Sequence, residues 1–495
     1  MREDWKVVKL GEFAAHEKGK KPKNQKIERD DVYIYPYVNI EAFEKGIVET
    51  FTDGEKCNFC YEDDFLMVWD GSRSGLVGKG MNGALGSTLV RINFPGIENN
   101  YAYHYLSSKY QEINTRAKGS GTPHVDPYLL WNYNFPIAPL TEQRAIVAKI
   151  EELFSDLDKG IADLNLAKDQ LKVYRQAVLK RAFEGELTKE WREKQTNLPT
   201  ADELLERINE ERKKHYEQQI EDWKKEVKDW ENGKAGKKPK KPRPLDTSTI
   251  DDWDVQFKTP LHWKSCQIAD VISDLTDYHA NGSYLVLKEN VVLSDSPDYA
   301  VMIRATNFEK DDFTDNLKYV DKHSYDFLTK SKLFGGELLI GKIGNAGRVY
   351  YMPFLNRKAS LAMNLFALRI DLVSSRFIYY QLKNFHQERE IRNYVRGVGN
   401  PTIDKISIRS IHINLCSKNE QNQVIEEIES RLSVCDKVEQ SITESLEKAK
   451  ALRQSILKKA FEGTLLSKEE IEKCKAAPDY EPASVLLERI RKKNT

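Results

Sequence analysis

The chain is short of cysteine, has no net charge and carries no long apolar run, and each shortage excludes something. Six cysteines are scattered through 495 residues, too few and too dispersed for a disulfide framework, and they point to reduced thiols. Cys57-Asn58-Phe59-Cys60 is a lone C-x-x-C without the second pair that a structural zinc site needs. Basic and acidic residues balance at 77 each, so no global excess advertises a polyanionic partner, although a local basic stripe would suffice for one. No apolar stretch approaches the roughly 18 residues of a membrane span. Met1-Arg2-Glu3-Asp4-Trp5 lacks the apolar core of a signal peptide. A cytoplasmic protein without membrane association is expected.

Catalytic motifs are missing too. Gly336-Glu337-Leu338-Leu339-Ile340-Gly341-Lys342 has the spacing of a phosphate loop, but Ile343 stands where Ser or Thr must hold magnesium, and Leu-Leu-Ile belongs in a strand. No G-x-G-x-x-G follows a strand and opens a helix. No Asn-Pro-Pro-Tyr or Asp-Pro-Pro-Tyr segment serves amino-methyl transfer. Pro478-Asp479 is followed by Glu481-Pro482-Ala483, without the lysine of many nuclease sites, and the nine histidines never pair at metal-binding spacing. The expectation is a chain with no catalytic residues, no metal and no cofactor of its own.

What is present is a repeat. Glu142-Gln143 returns as Glu420-Gln421, and Arg175 through Gly185 returns, at the same offset, as Arg453 through Gly463. That offset also carries Gly119-Ser120-Gly121-Thr122-Pro123 onto Gly397-Val398-Gly399-Asn400-Pro401, and Asp126 onto Asp404. Two copies of one unit tend towards pseudo-two-fold symmetry and offer similar surfaces to a partner of two-fold character, such as duplex DNA.

Residues 1–139 mix short β-like runs (Tyr33–Tyr35, Phe65–Trp69, Thr88–Ile92) with glycine turns and one helix at Tyr101–Ile113. The pattern then changes to heptads. Ile150, Leu157, Leu164, Leu171 and Val178 form one seam, and Ile428, Leu432, Ile442, Leu446 and Ile456 lie on its copy. Thr141 is the expected N-cap of the first helix and Gly185 its stop. Each such helix would be roughly 60 Å long, best buried against the other. The expected divisions are 1–139, a helix in 140–188, a charged helical insertion and basic linker in 189–250, a second mixed unit in 251–415, a second helix in 416–466 and a helical tail in 467–495. In the insertion, Tyr216, Trp223 and Trp230 line a narrow helical stripe, a candidate docking face, which the extended basic linker Lys234–Pro244 is not expected to cover.

The paired boundaries Thr141-Glu142-Gln143 and Asn419-Glu420-Gln421, and the paired ends Ala182-Phe183-Glu184-Gly185 and Ala460-Phe461-Glu462-Gly463, each follow a Gly-x-Gly-x-Pro segment at the same distance. In this the chain closely resembles the specificity (S) subunits of type I DNA restriction-modification systems. The long insertion is a departure from simpler members. The resemblance implies an α+β protein of two mixed α/β target-recognition domains joined by two long antiparallel coiled-coil helices. Each domain would read one half of a split, asymmetric duplex target. Two methyltransferase (M) subunits would bind along the helices, and restriction (R) subunits would join through them. S-adenosylmethionine, ATP and magnesium would belong to those partners.

The candidate DNA contacts follow from residue type. Lys18, Lys20, Lys21 and Lys23 form a basic segment broken by Gly and Pro, suited to phosphates or simply a solvated loop. Arg73 sits on a tight turn after a strand and reads either as a guanine reader or as one side of a surface salt bridge. Lys342, Asn345 and Arg348 occupy the comparable turn of the second unit, with Arg304 and Asn307 on another. Ser120, Thr122 and His124, and Arg396, Asn400 and Thr402, surround the repeated glycine segments. Two other functions compete: the recognition subunit of a system that cuts on both sides of its site, and a coiled-coil interaction protein with no DNA role.

Overall fold

The computed structural model describes residues 2–119, 121–233, 238–242 and 259–493. The first domain contains β1 (Lys6–Lys9), β2 (Ala15–Lys18), β3 (Gln25–Lys26), β4 (Tyr35–Val38), α1 (Ile40–Lys45), β5 (Phe51–Thr52), β6 (Phe59–Cys60), β7 (Phe65–Val68), β8 (Val77–Lys79), β9 (Gly83–Leu85), β10 (Leu89–Asn93), α2 (Asn99–Thr115), α3 (Pro127–Trp131) and β11 (Asn134–Ile137). The long helix α4 (Leu140–Phe183) follows, then α5 (Lys189–Glu193) and α6 (Ala201–Gly233). The second domain contains β12 (Lys264–Gln267), α7 (Ile268–Val271), β13 (Asp274–Asp277), α8 (Tyr284–Asn290), β14 (Leu293–Ser294), β15 (Ala300–Ile303), α9 (Ala305–Glu309), β16 (Lys318–Val320), α10 (Lys322–Phe327), β17 (Lys332–Leu333), β18 (Leu338–Gly341), β19 (Val349–Tyr351), β20 (Ala359–Leu361), β21 (Leu365–Arg369), α11 (Ser375–Leu382), α12 (Phe385–Tyr394), α13 (Lys405–Arg409) and β22 (His412–Leu415). The chain closes with α14 (Lys418–Glu462), α15 (Lys468–Lys475) and α16 (Ala483–Lys493).

The domains share one topology, strand for strand. Sheets of order β1-β11, β2-β10-β7-β8 and β3-β5-β4-β9-β6 recur as β12-β22, β13-β21-β18-β19 and β14-β16-β15-β20-β17. Each five-stranded sheet holds one parallel pair, β4 with β9 and β15 with β20. One strand links two cores in each domain. β7 and β18 are buried throughout, as continuous apolar runs should be. Alternation sends Phe65 and Met67 into the helix-side core and Leu66 and Val68 into the other. Leu338 and Ile340 divide from Leu339 in the same way. The first recognition strand begins later than its apolar run suggests. Asp30 accepts hydrogen bonds from the backbone N–H groups of Val32 and Tyr33, so Tyr33 belongs to a turn and β4 opens at Tyr35.

By contacts the chain divides into Met1–Ala167 with Ser441–Thr495, and Lys168–Gln440, so each compact unit takes one domain and part of both long helices. In the first unit the opening half of α4 packs with the closing half of α14. There Arg453 pairs with Asp158 and lies 4.4 Å from the Phe154 ring centroid. In the second unit the opposite halves meet, and Arg175 reaches Asp436 at 2.8 Å and Glu439 at 3.0 Å. The helices therefore run antiparallel. Ile150, Val178, Ile428, Ile442 and Ile456 are buried. Leu157, Leu164, Leu171, Leu432 and Leu446 are only half-buried, because a two-helix seam covers one side. Gly185 and Gly463, with φ of 74° and 78°, end the helices in matching left-handed turns. Glu186 N–H bonds Arg181 O, and Thr464 N–H bonds Lys459 O. Thr141 is not the N-cap. Helix α4 opens at Leu140, which places Thr141 in the first turn.

The N-termini of both helices are fastened alike. Buried Glu142 accepts hydrogen bonds from Trp5 Nε1 (3.0 Å) and Arg2 Nη1 (2.9 Å), and buried Glu420 from Arg192 Nη1 (2.8 Å) and Thr188 Oγ1 (2.9 Å). Helix α6 is anchored in the second unit by Ala201, Leu204 and Ile208 and by Arg212, which donates to Ile272 O at 2.6 Å. Leu486 and Ile490 of α16 occupy the matching place in the first unit. Beyond Arg212, the stripe residues Tyr216, Trp223 and Trp230 are half-buried. Contrary to expectation, the linker does contribute cover. Pro239 O accepts from Trp223 Nε1 at 3.1 Å, and Lys238 Nζ lies 5.7 Å from the Trp230 ring centroid. Lys234–Lys237, Arg243 and Pro244 lie outside the described residues. Among the described residues no helix is long and apolar enough to cross a membrane.

Candidate DNA interface

In each domain three sequence-distant segments meet: the end of β2 or β13, the turn after β7 or β18, and the glycine hairpin before α3 or α13. The hairpins are built alike. Lys118 and His124 exchange backbone hydrogen bonds of 2.9 and 2.8 Å, as do Arg396 and Thr402. Each hairpin clasps the neighbouring turn, because Gly71 N–H donates to Pro123 O (2.7 Å) and Gly344 N–H to Pro401 O (2.9 Å). At the turn's end Gly75 and Gly347 have φ of 90° and 79°, and a β-carbon on either would meet Ile113 or Ile391 at 2.5 or 2.6 Å. Only glycine suits both demands, so the turn that carries Arg73 and the turn that leads into Arg348 are locked onto the helices beneath them.

The side chains fall into three groups. Lys20, Lys21, Lys23, Thr122, Asn400, Arg396 and Thr402 are exposed, with His124 half-exposed. Ser120 lies outside the described residues. A second group is held by carboxylates. Lys18 pairs with Asp70 at 2.8 Å, Arg73 with Glu44, and Lys342 with Asp277 at 2.7 Å. Asn345 and Arg348 both donate to Glu309, Arg348 at 3.3 Å. Arg73 and Arg348 remain 55% and 65% exposed, whereas Lys342 is 22% exposed. The third group is internal. Asn307, 3% exposed, accepts from Arg304 N–H (2.9 Å) and donates to Asp312 O (3.0 Å). It holds the turn around α9 and is withdrawn from the surface, a correction to its candidacy. Its place in a capping turn outweighs its polar character. Arg304 donates through Nη2 to Asn316 O at 2.8 Å and lines a cavity of about 530 Å³ with Tyr278, Tyr284, Asn345 and Met363.

Electrostatics reinforce these pairings. Burial pushes the Asp277 carboxyl up, but hydrogen bonds from Lys342 and Lys405 (3.0 Å) outweigh it and leave the group below its ordinary value. Burial and the neighbouring Glu309 raise the Tyr350 phenol to about 12, so it stays a donor, 3.3 Å from Glu309. Cys60, the buried half of the C-x-x-C, is a core residue facing Gly83 O at 3.5 Å. Among the described residues no cluster of histidine, cysteine and carboxylate groups could hold a metal ion. Sequence reasoning missed Glu44, Glu309 and Lys405. Their only signal is position, at the ends or starts of short helices whose distance from the basic turns differs between the two domains.

Two domains of one topology, each gathering basic and amide side chains on clasped turns and joined by a paired-helix spacer, define a duplicated recognition scaffold. The family described as Type I restriction modification DNA specificity domain matches residues 2–165 and 260–448. The chain belongs to this family and is a DNA-specificity chain of the type I restriction-modification kind. It is 33% identical over 184 residues to the type I restriction enzyme MjaVIII specificity subunit of Methanocaldococcus jannaschii, covering 37% of this chain and 42% of that one. It is 22% identical over 461 residues to the EcoBI specificity subunit of Escherichia coli, covering 92% and 85%. A chain from a solved structure on complex assembly and conformational transition of the type I R-M system shares the fold, with a TM-score of 0.62 at 17% identity over 94% of this chain and 99% of that one.

Proposed function

We propose that this chain is the non-catalytic, sequence-reading subunit of a type I restriction-modification complex. Each domain reads one half of a bipartite, asymmetric duplex target, and the paired helices set the gap between the halves. The observation that carries the reading is the strand-for-strand repetition of the recognition topology with different connections, most plainly after β2 and β13. A short lysine-rich link in one domain is replaced by α8 in the other. One scaffold with two loop sets suits two different half-sites.

The helices also offer docking surface. Val173 and Tyr174 on α4, and Val434 and Val438 on α14, are exposed apolar side chains within the second unit. Leu166 and Leu452 are exposed in the first. Methyltransferase subunits, two in number, would cover these faces, and restriction subunits would join through them. S-adenosylmethionine, ATP and magnesium chemistry would reside in those partners.

The test is a domain exchange. Replacing residues 1–139 with the matching domain of another family member should change one half of the methylated target and leave the other half intact. Alteration of both halves would overturn independent reading.

A further inference from the structure

The two turns after the central strands share a feature that their sequences hide. Arg73 in the first domain pairs with Glu44 near the C-terminal end of α1. Arg348 in the second pairs with Glu309, the last residue of α9. Both helices directly follow the parallel strand of their five-stranded sheet, so the two glutamates occupy the same place in the fold. The two arginines likewise sit between matching strands, β7 and β8 or β18 and β19. Each domain thus pairs one arginine of this connection with the glutamate at that place, although Arg73 precedes Gly75 and Arg348 follows Gly347.

The two partners are unequally exposed. The Glu44 side chain is 9% exposed, and its Oε1 is buried with no hydrogen-bond partner among the described residues. Glu309 also accepts from Asn345 and from Tyr350, whose ring stacks on Phe308 at 4.8 Å. Glu309 is thus held by neighbouring donors and Glu44 by burial, while both arginine side chains stay more than half exposed. A guanidinium has five donors in a rigid plane. A carboxylate on one edge leaves another edge free, and a bidentate contact with guanine O6 and N7 needs only two donors. Holding the long side chain in one orientation beforehand removes much of the ordering cost on binding. The carboxylate also lowers the local positive charge, which weakens indiscriminate attraction to phosphate.

We propose that Glu44 and Glu309 are positioning residues, each orienting its arginine so that the free edge reads one base pair in its half-site. This rests on the reading above that each domain recognises one half of the target. The experiment uses the full chain with its methyltransferase partner in cells. It reads the methylated motif across the genome, with the fold of each purified variant checked by thermal unfolding. Glu309→Gln and Arg348→Ala should each relax the motif at one and the same base pair, with about a tenfold loss of discrimination. The other half-site should stay intact. Glu44→Gln and Arg73→Ala should do the same in the opposite half.

If Arg348→Ala relaxes a position that Glu309→Gln leaves strict, positioning is overturned while base reading stands. If neither variant alters the motif, the pair is a structural tie and the proposal fails, while the domain exchange still judges the wider reading. Should Glu309→Gln not fold, Glu309→Asp keeps the charge but withdraws it by one methylene. An unrelaxed motif in that folded variant overturns positioning.

Discussion

The side-chain Nε2 of Gln143 donates to the backbone carbonyl of Ala138 at 2.7 Å, and Gln421 makes the same bond to Cys416 at 2.8 Å. The Gln143 amide oxygen accepts from Glu98 N–H and that of Gln421 from Ser374 N–H, both at 2.9 Å. One buried glutamine in each repeat therefore ties a long helix to the residue just after the last strand of its domain and to the N-cap residue of the preceding α2 or α11. Gln143→Ala would strand a buried donor and a buried acceptor, at a cost of about 2 kcal/mol. Chemical denaturation should report that loss, and Gln421→Ala should match it. An unchanged midpoint for both would show that the repeated glutamine is dispensable.

Lysines and arginines on the candidate interface should separate by behaviour. Lys20 and Lys21 are exposed on the connection after β2. Replacing either with alanine should weaken binding of the assembled complex to all duplexes alike and lower the salt slope by about one unit. A sequence-dependent loss at Lys20 or Lys21 would reassign that residue to base reading.

Spacer length should control the gap between half-sites. A heptad inserted after Leu164, with another after Leu446, keeps both seams in register and lengthens the pair by about 10 Å, roughly three base pairs of rise. The methylated motif should then carry a wider gap. Four-residue insertions rotate the seam and should impair folding instead. A heptad variant that stays active with the original gap would remove the spacer role.

The Asp277 cluster predicts an acid-sensitive second domain. Its carboxyl is held below its ordinary value of 3.8 by Lys342 and Lys405. A depressed carboxyl contributes stability above its unfolded value, and that contribution disappears as pH falls through the folded value. Asp277→Asn should therefore be less stable than the parent chain at neutral pH. The difference should shrink as pH falls below the ordinary carboxyl value and on through the lower folded value. A gap that is constant from pH 7 to pH 3 would remove the ion-pair account.

The amino-acid sequence by itself determined the repeat, the two heptad helices and their C-terminal stops. Those depend on local rules: apolar residues at helical spacing mark the seam, and glycines at Gly185 and Gly463 adopt the left-handed turns that stop a helix. The central strands at Phe65–Val68 and Leu338–Gly341 were legible for the same reason, as apolar runs buried on both faces. Tertiary structure decided the rest. Which carboxylate meets which guanidinium depends on β4 lying parallel to β9 and β15 to β20, a long-range pairing that leaves no mark at fixed spacing. The withdrawal of Asn307 into a capping turn and the return of Pro239 onto Trp223 are of the same kind. A side chain's type states what it can bond. Its partner, and so its role, is set by the backbone that folding brings within about 3 Å of it.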